Sequence, residues 1–213
     1  MENLRFLGRE ESICAMPGDR CTPYASGKNY PVGAVTMSNK KQIAFVAFGG
    51  NMGDPIATLR KVIPLVTESI GPLSELSSLY ETKPLTLNNT PQPNYLNAVF
   101  SVVTTLEPVD ILRGLLSIEQ ALGRDRSLDK RWEPRTIDLD LLFVGDRVES
   151  SEFLTLPHPE IAQRDFVLRP LAEIAPSFEH PKLKRPISAL LDCLKGHSVE
   201  EFVLRKLDSS VGA

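Results

Sequence analysis

At 213 residues, 42% of them hydrophobic and 24% charged, the chain has the make-up of an ordinary globular protein with enough apolar residues for one core. A formal charge of -3 and a pI near 5.7 argue against a general nucleic-acid binder and leave any phosphate binding to local basic clusters. The longest apolar run, 43–48, is far too short to span a bilayer. The three cysteines, Cys14, Cys21 and Cys193, form no C-x-x-C pair, so neither a zinc site nor a disulfide framework is indicated and a reduced, cytoplasmic setting is expected.

Residues 1–40 mix Gly, Pro, Ser and charges of both signs without periodicity, and they are expected to form a disordered extension. Met37, just ahead of the first strand, reads as a true start. From Gln42 to Phe48 the chain reads as a buried strand. Asn51 to Pro55 then turns into a helix whose apolar face is Ile56, Leu59, Ile63 and Val66, kinked or shortened at Pro64. Leu76 to Glu81 and Tyr95 to Thr104 read as two further strands, separated by a polar loop holding Pro84, Asn88, Asn89, Pro91 and Pro93. Pro108 opens a second helix, with Ile111, Leu112, Leu115, Ile118, Ala121 and Leu122 inward, and Gly123 closes it.

A charged loop from Arg124 to Arg131 leads to a strand, Thr136 to Val144, which Gly145-Asp146 turns into a short hairpin partner. Strand, helix, two strands, helix, strand is the order of a ferredoxin-like α+β sandwich with a mainly antiparallel sheet. Further on, Pro186 to Leu194 reads as a short helix that buries Cys193, and Glu201 to Leu207 as a strand or a helix. Residues 208–213 are expected to fray, which bounds the folded domain at 41–207.

The chemistry concentrates in Arg131-Trp132-Glu133-Pro134-Arg135-Thr136-Ile137-Asp138-Leu139-Asp140-Leu141-Leu142. In a strand, positions i and i+2 share a face, so Asp138 and Asp140 converge on one spot, roughly 7 Å apart along the backbone. Beside Leu139, Leu141, Leu142 and Phe143 two such carboxylates repel each other unless a cation lies between them. Arg131 and Arg135 add planar guanidinium forks suited to phosphate oxygens. Metal and arginines together indicate phosphate chemistry, the alternative being that the aspartates form only a solvated turn or a pair of salt bridges.

This string resembles the signature of the 6-hydroxymethyl-7,8-dihydropterin pyrophosphokinases of folate biosynthesis. Three further segments occur in that family's order: Phe48-Gly49-Gly50-Asn51; Gln92-Pro93-Asn94-Tyr95-Leu96-Asn97-Ala98; and Leu154-Thr155-Leu156-Pro157-His158 followed by Arg164-Asp165-Phe166-Val167-Leu168. The likeness runs from about Gln42 to about Pro176.

What the resemblance implies is transfer of the β,γ-diphosphate of ATP as a unit to the hydroxymethyl group of a reduced pterin, releasing AMP, on a ferredoxin-like fold. Two magnesium ions would lie between the phosphates and Asp138 and Asp140, and Asp138 would also accept the hydroxymethyl proton. Arg124 and Arg135 would act in catalysis, and Arg126, Arg131, Arg135 and Arg164 on the triphosphate, with Glu119, Thr155 and His158 on the nucleotide side. Tyr95 and Phe166 would sandwich the pterin and Asn97 would read its pyrimidine edge, with Asn51, Thr82 and Leu85 lining the same pocket. Trp132 would be a lid that excludes water. Glu133 replaces the signature's glycine or alanine, with bulk and charge expected to slow loop closure or loosen ATP binding, and Pro159 stands where an aromatic residue occurs.

Two other classes compete. An RNA-binding module on the same sheet is opposed by the acidic pI, the Asp pair and the lack of a K/R-G-F/Y-G/A-F string. A metal-dependent phosphohydrolase would use the same aspartates without needing a pterin sandwich. The expected partners are therefore ATP and the pterin alcohol, with no nucleic acid and no membrane, and the chain is expected to be a monomer.

Overall fold

The computed structural model describes residues 35–84, 91–124, 133–196 and 203–207. β1 (Met37–Gly50) is longer than its apolar centre indicates, because its ends are held by pairing as well as burial. Ahead of it, Thr36 donates its N–H to Asp110 and accepts from the N–H of Glu107, so ordered chain reaches several residues into the stretch expected to be disordered. α1 (Pro55–Ser69) starts where Asp54 accepts the N–H of Ala57, with Pro55 in the first turn. Its core face is Leu59, Val62 and Val66, and Ile63 is only partly buried. Pro64 does not shorten it: the ring lies on the exposed side and the helix runs on for five more residues.

The single strand expected at 76–81 is two, β2 (Leu73–Leu76) and β3 (Leu79–Thr82). Both run along β4 (Tyr95–Leu106), and the break falls where the Ser77 hydroxyl substitutes for a ladder carbonyl by accepting the Val99 N–H at 2.9 Å. α2 (Pro108–Ala121) buries Ile111, Leu112, Leu115 and Ile118 as its spacing requires. Ala121, however, is exposed, and Glu119 is buried. Gly123, at φ +90°, closes the helix, and the next described strand is β5 (Asp138–Val144).

β1 pairs antiparallel with β4 on one side and β5 on the other, and the sheet order is β5-β1-β4-β3, extended by β8 (Val203–Leu207) on β3. This is the ferredoxin-like arrangement, with β2 and β3 dividing the place of one strand. The turn at Gly145 does not return a partner to β5. Instead β6 (Glu149–Ser150) pairs with β7 (Thr155–Leu156), since the β5 edge is taken by the segment after β7, where His158 donates its N–H to the Leu142 carbonyl.

The sheet is covered on both faces. Ala44, Val46, Phe48, Phe100, Leu139 and Leu141 face α1 and α2. Phe45, Val99, Leu142 and Phe143 face α3 (Asp165–Ile174) and α4 (Ile187–Gly196). On that second side Phe45, Phe143 and Phe178 form a ring cluster with centroids 5.0–6.2 Å apart, and the His180 ring meets Phe143 edge-on at 5.3 Å. Cys193 on α4 is half-buried, not fully apolar in setting: its Sγ lies 3.1 Å from Arg185 Nη2. No helix among the described residues is long and apolar enough to cross a membrane.

Candidate active site

Asp138 on β5, Gly49 on β1, Asn97 on β4 and Tyr80 on β3 lie in one line across the sheet. Opposed residues on adjacent strands point to the same face, here the one bearing α3 and α4. Two residues along, Asp140 faces Ala47 and Tyr95 faces Thr82. The parity of β5 therefore puts both carboxylates on this face and Leu139 and Leu141 in the opposite core.

Gly49 leaves a hollow in that line. A Cβ there would lie 2.9 Å from Asn97 Oδ1 and 4.0 Å from Asp138 Cβ, so the absent side chain is the space between amide and carboxylate. Asn97 is held by donating Nδ2 to Thr82 Oγ1 at 2.7 Å, which turns its oxygen toward Gly49. The neighbouring Gly50 is equally constrained: a Cβ would meet the Thr136 carbonyl at 2.7 Å. Neither glycine stands out by residue type alone, and only the Gly-Gly pair after a buried strand hinted at close backbone approach.

Asn51 closes one end of the hollow. Its Oδ1 accepts the N–H of Arg135 at 2.8 Å and its Nδ2 donates to the Pro93 carbonyl at 3.1 Å, tying together the two segments that flank the site. Its amide is thus engaged with protein on both sides. Tyr95 donates its hydroxyl to the Glu133 carbonyl at 3.2 Å. Burial pushes the phenol up from its ordinary pKa, with the Arg135 guanidinium working against it.

The charged groups form a chain. Glu119, 1% exposed, accepts the backbone N–H of Leu139 at 2.7 Å and Arg124 Nη1 at 2.8 Å. The same Nη1 donates to Asp138 Oδ1 at 2.5 Å, and Arg135 Nη1 donates to Asp138 Oδ2 at 2.8 Å. Glu119 is therefore no surface charge: its Oε1 is turned to β5 and Arg124.

His158 follows a cis Leu156–Pro157 bond and is 3% exposed. Its Nδ1 accepts the Glu160 N–H at 3.3 Å, so a neutral ring carries its proton on Nε2, which is buried and meets no hydrogen-bond partner among the described residues. Burial holds the imidazole below its ordinary pKa, against the pull of Asp140. Arg164 is paired with Glu160, and its guanidinium carbon lies 5.6 Å from the centroid of the half-buried Phe166 ring. Thr155, on β7 opposite Ser150, is half-buried.

A single fold element pattern thus joins two carboxylates, two arginines, an amide edge and a buried imidazole donor on the sheet face beside α3. The model of the 7,8-dihydro-6-hydroxymethylpterin-pyrophosphokinase (HPPK) family matches residues 45–176. The chain belongs to that family. All the described site residues lie inside the matched HPPK segment.

A 2-amino-4-hydroxy-6-hydroxymethyldihydropteridine pyrophosphokinase of Synechocystis is 37% identical over 163 residues, 76% of this chain and 81% of that one. The folic acid synthesis protein fol1 of Schizosaccharomyces pombe is also 37% identical over 163 residues, but there the chain spans only 22% of the relative's length. Among solved structures, wild-type Plasmodium falciparum HPPK-DHPS with pteroate shares the fold at a TM-score of 0.61 and 17% identity, covering 74% of this chain and 43% of that one.

The HPPK fold thus brings together Asn51, Thr82, Tyr95, Asn97, Arg124, Arg135, Asp138 and Asp140, with His158, Arg164 and Phe166 at the α3 side. Leu85, Arg126, Arg131 and Trp132, hence the expected lid, lie outside the described residues. Among the described residues no three His, Cys, Asp or Glu side chains converge as a ready metal cage. The two carboxylates still fit magnesium, which needs few protein ligands and takes its remaining oxygens from phosphate and water.

Proposed function

We propose that the chain transfers the β,γ-diphosphate of ATP to 6-hydroxymethyl-7,8-dihydropterin, releasing AMP, as its membership of the HPPK family and the pyrophosphokinase names of its relatives indicate. The observation that carries this reading is the cross-strand line in which Asn97 and Asp138 flank Gly49. It supports a reading in which a hydrogen-bonding edge for a flat heterocycle lies next to carboxylates able to serve a triphosphate.

In the reaction the hydroxymethyl oxygen forms a bond to the β-phosphorus, the bond from that phosphorus to the α–β bridging oxygen breaks, and AMP leaves with that oxygen. Such transfer depends chiefly on positioning and on charge neutralisation. Asn97 and Thr82 orient the ring between Tyr95 and Phe166. Arg124 and Arg135 present guanidinium donors, and the His158 Nε2–H gives a buried donor for the nucleotide. Asp138 and Asp140 would hold two magnesium ions, which would supply charge neutralisation for the transferred phosphates. Asp138, whose oxygens each accept a guanidinium hydrogen bond, is a poor base, so the alcohol proton goes to solvent.

An RNA-binding sheet would expose aromatics on the face where Phe45 and Phe143 are buried under α3 and α4, which disfavours that reading. We further assign 41–207 as the catalytic unit, extended at its start by Thr36 and β1, acting as a monomer in a reduced compartment. Mixing the chain with ATP, magnesium and the pterin alcohol tests the proposal. AMP formed only with pterin supports transfer. Phosphate release without pterin indicates a phosphohydrolase, and no turnover with either indicates a binding protein.

A further inference from the structure

We infer that Glu119 is a positioning residue that controls how readily Asp138 is given up to a divalent cation, acting through Arg124. The inference rests on the pyrophosphokinase reading, and it concerns a residue one helix away from the reacting groups.

Three observations carry it. Glu119 is an ionisable side chain 1% exposed, and a buried carboxylate persists only where its oxygens are matched by donors. Its Oε1 is matched twice, by the N–H of Leu139, the residue between the two site aspartates, and by Arg124. Arg124 is itself 8% exposed and uses one nitrogen, Nη1, for both Glu119 and Asp138.

A cation approaching Asp138 Oδ1 therefore competes with a buried guanidinium for the same oxygen. A buried guanidinium releases one counter-charge more readily where another remains, and Glu119 supplies such a charge. Its charge draws Arg124 away from Asp138, and its bond to the Leu139 N–H holds β5 in register while the exchange occurs. Neutralising Glu119 leaves Asp138 as a stronger partner for Arg124, and the cation then has to displace a tighter ion pair.

The test is the magnesium concentration at which the chain half-saturates with a non-hydrolysable ATP analogue, followed by calorimetry, with thermal melting recorded free of metal and nucleotide. Glu119→Gln is expected to raise that magnesium midpoint about tenfold, the scale of one charge-assisted hydrogen bond. A merely structural Glu119 would lower the melting temperature and leave the midpoint where it was, which overturns the inference.

Because Glu119→Gln leaves Arg124 short of charge and could prevent folding, Arg124→Gln is compared with the doubly neutral Glu119→Gln/Arg124→Gln. Without the guanidinium the two midpoints are expected to coincide, whereas a remaining shift overturns the mediated route. A wild-type chain that takes up no analogue at any magnesium concentration overturns both this inference and the pyrophosphokinase reading. Uptake by wild type with an unmoved Glu119→Gln midpoint overturns this inference alone.

Discussion

Replacing Gly49 by alanine puts a methyl group 2.9 Å from Asn97 Oδ1, closer than real Cβ atoms come to another heavy atom. The strand backbone is paired on both sides at this position, so the amide has to move. Moving it breaks the 2.7 Å bond to Thr82, whose loss costs about 1 kcal/mol, and leaves groups 9% and 2% exposed without partners at a further ~1–2 kcal/mol. If the pterin needs that amide in its present orientation, about 1.4–3 kcal/mol of ring affinity is lost, roughly 10- to 100-fold. The Asp138 side of the hollow is barely touched, since 4.0 Å between carbons is ordinary contact. Calorimetric titration of Gly49→Ala should therefore show weakened pterin binding in the presence of a non-hydrolysable ATP analogue, with the analogue's own affinity within about twofold of wild type. Pterin affinity equal to wild type in a folded Gly49→Ala would refute the reasoning, because the amide would then not be the edge the ring uses.

His158→Asn retains an acceptor for the Glu160 N–H and removes the buried Nε2–H, which has no partner among the described residues. It should raise KM for ATP by about tenfold or more while leaving the melting temperature unchanged or higher, and an unchanged KM would remove His158 from the nucleotide site. His180 accepts the N–H groups of Lys182 and Leu183 on Nδ1 and is held by burial down to about 4. The unfolded chain binds a proton there below about 6.5, so it holds more protons than the fold between those values. Stability present above pH 6.5 is thus lost as pH falls toward 4, by about 1–3 kcal/mol once solvent screening is counted, and His180→Asn should flatten that part of a denaturation profile. An equally steep profile in His180→Asn would assign the acid loss elsewhere. Glu133 exposes its side chain and engages Tyr95 and Arg135 through its carbonyl. Glu133→Gly should accordingly speed the approach to steady-state AMP formation with the fold intact, and identical kinetics would show that the side chain does not hinder closure.

The parts of the fold legible in the residues are those whose signal is local. β1, β4, α1 and α2 stand in the pattern because burial selects period two or period three to four within one element. The failures have equally local causes. α3 has no counterpart among the expected elements and carries Pro170 on a buried side, and Ser77 broke an apparent strand by offering its hydroxyl to the ladder. The partner of β6 was misassigned because a turn at Gly145 says that the chain reverses, not which edge it meets.

For the site the division is the same. That Asp138 and Asp140 share a face follows from their spacing alone, since alternation is a property of any extended chain. That Gly49 lies between Asp138 and Asn97 is decided by the registers of β1 with β4 and β5, which sum contacts over the whole sheet. That Glu119 reaches the Leu139 N–H depends on where the end of α2 packs against β5. The sequence by itself determined the fold class and the family and made phosphate chemistry the expectation, because these rest on residue type and short-range geometry. Only the tertiary structure decided which donor meets which carboxylate, because segments far apart in the chain become neighbours through packing and pairing that no single stretch contains.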